Sequence, residues 1–178
     1  MSPLTGRDGK VRMGGVVDGR VRELHSEMII EAPPQRVWDV LTQFASYPVW
    51  NPFIRAIQGD PTHGGTLRVT IQPPSRRPMT FSPRLLVVDP PRELRWLGRV
   101  GMRGLFDGEH SFELEPLGAD RTRVTQHERF SGLLVPLMGR GLYQDSQRGF
   151  DDLMRALKHR VEARKTLKTG PKPKRRVE

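Results

Sequence analysis

Residues 106–116 read FDGEHSFELEP. Phe106, Gly108, His110, Phe112 and Leu114 alternate with Asp107, Glu109, Ser111, Glu113 and Glu115, the period of two that gives a strand one apolar and one acidic face. Such a strand belongs in an antiparallel sheet whose apolar face needs a cover. The cover lies further along the chain. From about Pro136 to Lys165 no proline interrupts, and Leu142, Phe150, Leu153, Met154, Leu157 and Val161 form a stripe at helical spacing. These two features predict a sheet with a long carboxy-terminal helix packed across it.

Working outward from this strand, short alternating runs separated by Gly, Pro and Asp clusters predict an antiparallel meander. Upstream lie Phe53–Ile57, the Leu67–Ile71 run, residues 79–88 and the run Leu94–Arg99; downstream comes TRVTQHERF at 122–130. Before them, VRELHSEMIIE at 21–31 reads as the first strand, and Pro33-Pro34 as the first turn of a helix over about 34–44. YPVWNPFI, residues 47–54, then turns the chain into the second strand, with Tyr47, Trp50 and Phe53 as an aromatic lid or plug. The order predicts an α+β fold: a curved antiparallel sheet of about seven strands around the last helix, with helical structure after the first strand. One domain is expected over 21–165, with a flexible Gly-rich segment at 1–20 and a disordered basic tail at 166–178.

Charge and composition remove several functions. The net charge is +10, but the ends carry it: residues 1–20 hold four basic and two acidic side chains, 155–178 hold ten and two, and 21–154 hold sixteen of each. No specific nucleic-acid partner is expected from a neutral body. The tail is read as a solubilising segment, with weak contact to anionic surfaces as its alternative. No cysteine is present, which excludes disulfides and thiolate chemistry. No apolar run is long enough to span a membrane and MSPLTGRDGK has no apolar leader core, so a cytoplasmic location is expected. The histidines at 25, 63, 110, 127 and 159 lack metal-ligand spacing, no G-x-S-x-G appears, and no glycine-rich phosphate loop stands between a strand and a helix. Neither metal nor cofactor is expected.

Two ionisable residues fall on the inward face. A three-residue loop at Gly118-Ala119-Asp120 would set Leu114 opposite Val124 and His110 opposite Glu128, close enough for an imidazole–carboxylate hydrogen bond. Such a pair is either a general acid or base acting on a bound molecule, or a satisfied pair that fixes register or orients a ligand. Gln126 and Tyr143 are candidates for further hydrogen bonds, and Trp96 is either a plain core residue or a flat apolar wall. The small residues Gly139, Gly141, Ser146 and Gly149 would leave space over the sheet at the start of the long helix, with a plain loop-to-helix boundary as the alternative for Gly139 and Gly141.

APPQRVWDVLTQFASYPVWNPFI, FDGEHSFELEP, TRVTQHERFSGLL and GFDDLMRALKHRVE together resemble the START-like (SRPBCC) superfamily, in its polyketide cyclase/dehydrase and lipid-transport family, over about residues 22–163. The resemblance implies a helix-grip fold with an elongated apolar cavity between sheet and helix, and hence a hydrophobic or aromatic small molecule as partner. It transfers no substrate and no catalytic signature. The expected cavity residues are Trp50, Phe53, Trp96, His110, Phe112, Gln126, Glu128 and Phe150. Ligand binding is the first expectation. A cyclase or dehydratase working through His110 and Glu128 is the alternative, and a partner-binding module using the basic tail a third. Oligomeric state is not legible.

Overall fold

The computed structural model describes residues 19–168, with side chains as far as Ala163. Residues 1–18 of the expected lead-in and 169–178 of the expected tail lie outside the described residues; 19–20 form a turn and 166–168 continue the last helix. Among the described residues eight strands are formed: β1 (Val21–Ile30), β2 (Ile54–Gln58), β3 (Arg68–Ile71), β4 (Met79–Phe81), β5 (Arg84–Asp89), β6 (Glu93–Val100), β7 (Phe106–Pro116) and β8 (Thr122–Ser131). The helices are α1 (Pro34–Thr42), α2 (Tyr47–Trp50) and α3 (Arg140–Lys168).

The strands divide into a five-stranded antiparallel sheet ordered β1-β8-β7-β6-β5 and a three-stranded one ordered β2-β3-β4. The run 79–88, expected as one strand, is two. Ser82-Pro83 breaks it, because proline has no N–H for a ladder. β4 then pairs with β3, whereas β5 pairs with β6, so the break carries the chain from one sheet to the other. A bridge between Thr66 and Arg84 ties the sheets together, and the Phe81 ring lies on Gly98 of β6, where a Cβ would come within 3.2 Å of it. The absent side chain is what lets β4 fold over β6.

The β7–β8 hairpin has the expected register. Gly118-Ala119-Asp120 forms its loop, Leu117 N donates to Arg121 O at 2.8 Å, and Gly118 takes φ +113°, a conformation that favours glycine. Leu114 therefore faces Val124 and His110 faces Glu128.

YPVWNPFI is more ordered than a plain turn. Tyr47–Trp50 make one helical turn with proline in its first turn, and Asn51 Oδ1 accepts from Phe53 N at 3.0 Å and Ile54 N at 2.8 Å to aim the chain into β2. Tyr47 is fully buried and its hydroxyl donates to Leu41 O at 2.7 Å, locking α2 onto α1.

On α3, Phe150, Leu153, Met154, Leu157 and Val161 are buried, as their spacing predicts. Polar side chains fasten α3 to edge strand β1. Tyr143 Oη donates to Glu23 O at 2.8 Å, Ser26 Oγ to Asp151 Oδ1 at 2.8 Å, and Lys158 Nζ to Ile29 O at 2.8 Å. The helix is thus clamped at one edge while its apolar side spans the sheet. No helix among the described residues is long and apolar enough to cross a membrane.

Candidate ligand cavity

Between the sheets and the first half of α3 lies a cavity of about 370 Å³. The five-stranded sheet contributes Trp96, His110, Glu128 and Phe130 to its lining, the three-stranded sheet Val69, Ile71 and Phe81, and α3 Leu142, Ser146 and Phe150. Most of these side chains are apolar, so a bound molecule would be held mainly by burial of its own apolar surface.

His110 and Glu128 form the polar feature of the wall. The imidazole Nδ1 lies 2.7 Å from Glu128 Oε2, and both residues are buried. With Nδ1–H donating to the carboxylate, Nε2 is left toward Gln126, whose Nε2 lies 3.5 Å away. The ring itself is caged. Trp96 stacks on it at 4.6 Å with planes 2° apart, and Phe112 and Phe150 lie at 4.8 Å and 5.2 Å. Both ring nitrogens are therefore turned to protein partners, and the Nδ1 contact orients Glu128.

Glu128 is more available. Its Oε2 is taken by His110, and Oε1 has no hydrogen-bond partner among the described residues. The carboxylate fits here because Gly108 on β7 has no side chain: a Cβ there would stand 2.8 Å from Oε1. The result is an oriented acceptor in a mostly apolar wall, which Thr80, Arg99 and Ser146 also line.

Of the residues expected at the cavity, Phe53, Trp96, His110, Glu128 and Phe150 line it. Trp50, Phe112 and Gln126 are not in the lining. Trp50 packs on Tyr47 at 4.9 Å, so the aromatic of α2 buttresses the fold rather than facing the cavity. Phe112 is fully buried behind His110, and Gln126 reaches the cavity only through the imidazole. The small residues of α3 divide similarly. Ser146 lines the cavity, but Gly149 leaves no free space: a Cβ there would stand 2.1 Å from the Phe53 ring, which lies against the helix. Over Gly141 lies the Arg76 guanidinium, which donates to Asp145 Oδ2 at 2.7 Å and joins the β3–β4 loop to α3. Nothing in the sequence pattern singled out Arg76, and Phe81 stood only within the run 79–88.

A curved antiparallel assembly gripping a long carboxy-terminal helix over an apolar cavity is the helix-grip architecture of START-like proteins. The chain belongs to the polyketide cyclase/dehydrase and lipid transport family, whose model matches residues 21–162. Among solved structures it is similar to the Zhui aromatase/cyclase from Streptomyces sp. R1128, with a TM-score of 0.69 at 18% identity over 85% of this chain and 99% of that one. It is also similar to a START superfamily protein from Mycobacterium smegmatis, with a TM-score of 0.64 at 20% identity over 79% and 97%. Norcoclaurine synthase from Thalictrum flavum gives a TM-score of 0.57 at 16% identity over 82% and 96%. At these identities the likeness is one of fold. No curated protein sequence matches significantly.

Proposed function

We propose that this protein binds a hydrophobic or aromatic small molecule, lipid- or polyketide-like, in the cavity beneath α3. The observation that carries the reading is the oriented Glu128 carboxylate in an apolar chamber of about 370 Å³. Apolar burial supplies the affinity, and Glu128 Oε1 selects a ligand with a hydrogen-bond donor, such as a phenolic or enolic hydroxyl. A buried acceptor left unpaired costs about 1–3 kcal/mol, so a ligand without a donor is disfavoured. Organic extraction of natively purified protein followed by mass spectrometry tests this: an apolar, hydroxyl-bearing molecule in near-stoichiometric amount is expected, and its absence together with failure to bind any naphthol or flavonoid probe would contradict it.

A second reading, a cyclase or dehydratase, is favoured by the 2.7 Å His110–Glu128 contact, which resembles an acid–base pair. The two readings separate on Glu128→Gln. If the pair is catalytic, turnover of a bound polyketide-like substrate falls by about 100-fold or more; if Glu128 only anchors, affinity changes and turnover does not.

A further inference from the structure

The open side of the cavity is framed by three segments of similar composition. Arg76-Arg77-Pro78-Met79 leads into β4 and opens it, Arg99-Val100-Gly101-Met102-Arg103 ends β6 and continues past it, and the third runs from Leu133 to Arg140, the first residue of α3. Contacts bring them together. Met79, Arg99, Val100 and Met138 line the same cavity, and Leu133 N and Leu134 N donate to Gly104 O and Leu105 O, each at 3.0 Å. Arg76 of the first segment donates to Asp145 in the first turns of α3.

Each segment carries large apolar side chains exposed beside arginine. Met102 is 76% exposed and Leu137 78%, and Met79, Val100 and Leu133 are exposed as well. Single exposed apolar residues are ordinary, but these lie on three segments, each of which contributes to the cavity lining, through Met79, Val100 and Met138. The charge is one-sided. Arg77, Arg103 and Arg140 are exposed and have no ion pair among the described residues, while Asp107 and Asp145 are occupied by Arg99 at 3.5 Å and Arg76 at 2.7 Å.

We propose that this rim is a docking surface for an anionic lipid bilayer, which seats the mouth of the cavity on the membrane. The shape favours a bilayer over a folded protein partner. Separate apolar tips on three loops offer no groove to fill, but they need no shape match to enter the boundary between headgroups and acyl chains. The arginines beside them lie where acidic headgroups are, and each is worth about a fivefold gain in partition onto an anionic surface. This surface goes beyond ligand binding and stands whatever the cavity holds.

Flotation of the full chain with vesicles of phosphatidylcholine and phosphatidylglycerol, against phosphatidylcholine alone, tests it. Binding is expected to the anionic vesicles and to weaken with salt. Met102→Asp with Leu137→Asp should lower the partition by about tenfold or more, and Arg103→Gln with Arg140→Gln should reduce the preference for phosphatidylglycerol by a comparable factor. The altered side chains are exposed, so thermal melts of both variants should match the wild type. A further variant with Lys172, Lys174, Arg175 and Arg176 changed to Gln separates the rim from the basic tail; it should retain rim-dependent binding. The proposal is overturned if the chain ignores anionic vesicles, if the rim substitutions leave binding unchanged, or if the tail substitutions alone abolish it. A lipid-free dimer in light scattering that Met102→Asp dissociates would also overturn it, in favour of a second copy as occupant.

Discussion

At the scale of single residues, Glu128 is held by two neighbours of opposite kind, an imidazole that fixes one oxygen and a glycine that makes room for the other. Glu128→Gln is expected to keep the His110 contact through the amide oxygen and to present an N–H₂ to the cavity. A phenolic probe such as 2-naphthol should then bind about tenfold more weakly, by the loss of a charge-assisted hydrogen bond, while a ketone of the same size should bind no worse; titration calorimetry reads both. The His110–Glu128 pairing was legible because the Gly118 loop fixes register, and register fixes which residues meet. The role of Gly108 was not, since a glycine in a strand pattern marks a close approach without saying of what. Tyr47 gives a second test. Burial pushes its hydroxyl well above the ordinary tyrosine range, so the folded state keeps the proton that the unfolded state loses near pH 10. Stability from this group is complete below that pH and declines above it. Tyr47→Phe should therefore cost about 1–2 kcal/mol at neutral pH and flatten the fall in stability between about pH 10 and 12, measured by urea melts.

At the scale of elements, the periodic ones were legible and the junctions were not. β7, β8 and the α3 stripe have strong period-two or helical patterns, and each formed with the expected residues inside. The 79–88 run failed as one strand because Pro83 cannot join a ladder, so the chain breaks at Ser82-Pro83 and its two halves pair in different sheets. Trp50 was expected at the cavity as part of the aromatic lid or plug of residues 47–54. The turn of helix at Tyr47–Trp50 points it at Tyr47 instead. Gly149 shows the same limit, because small residues on a helix signal either a void or a close neighbour. Here the neighbour is Phe53, so Gly149→Ala forces the ring aside and is expected to destabilise by about 1–3 kcal/mol. A fall in Tm together with altered affinity for an apolar probe would follow, since Phe53 also lines the cavity.

At the scale of the whole molecule, the clamp of α3 on β1 leaves the opposite side, between β4, the end of β6 and the start of α3, as the open rim of the grip. The central claim is that the space under α3 is a binding site, and a space-filling substitution tests it most directly. Ser146 lines the cavity on α3, where a larger side chain projects into that space. Titrating 2-naphthol into wild type and Ser146→Phe while following tryptophan fluorescence, in which Trp96 takes part through its place in the cavity wall, gives the answer. Saturable one-to-one binding to the wild type, lost in a variant that still melts cooperatively, is the predicted result; no saturable binding, or equal binding by the filled variant, would contradict it.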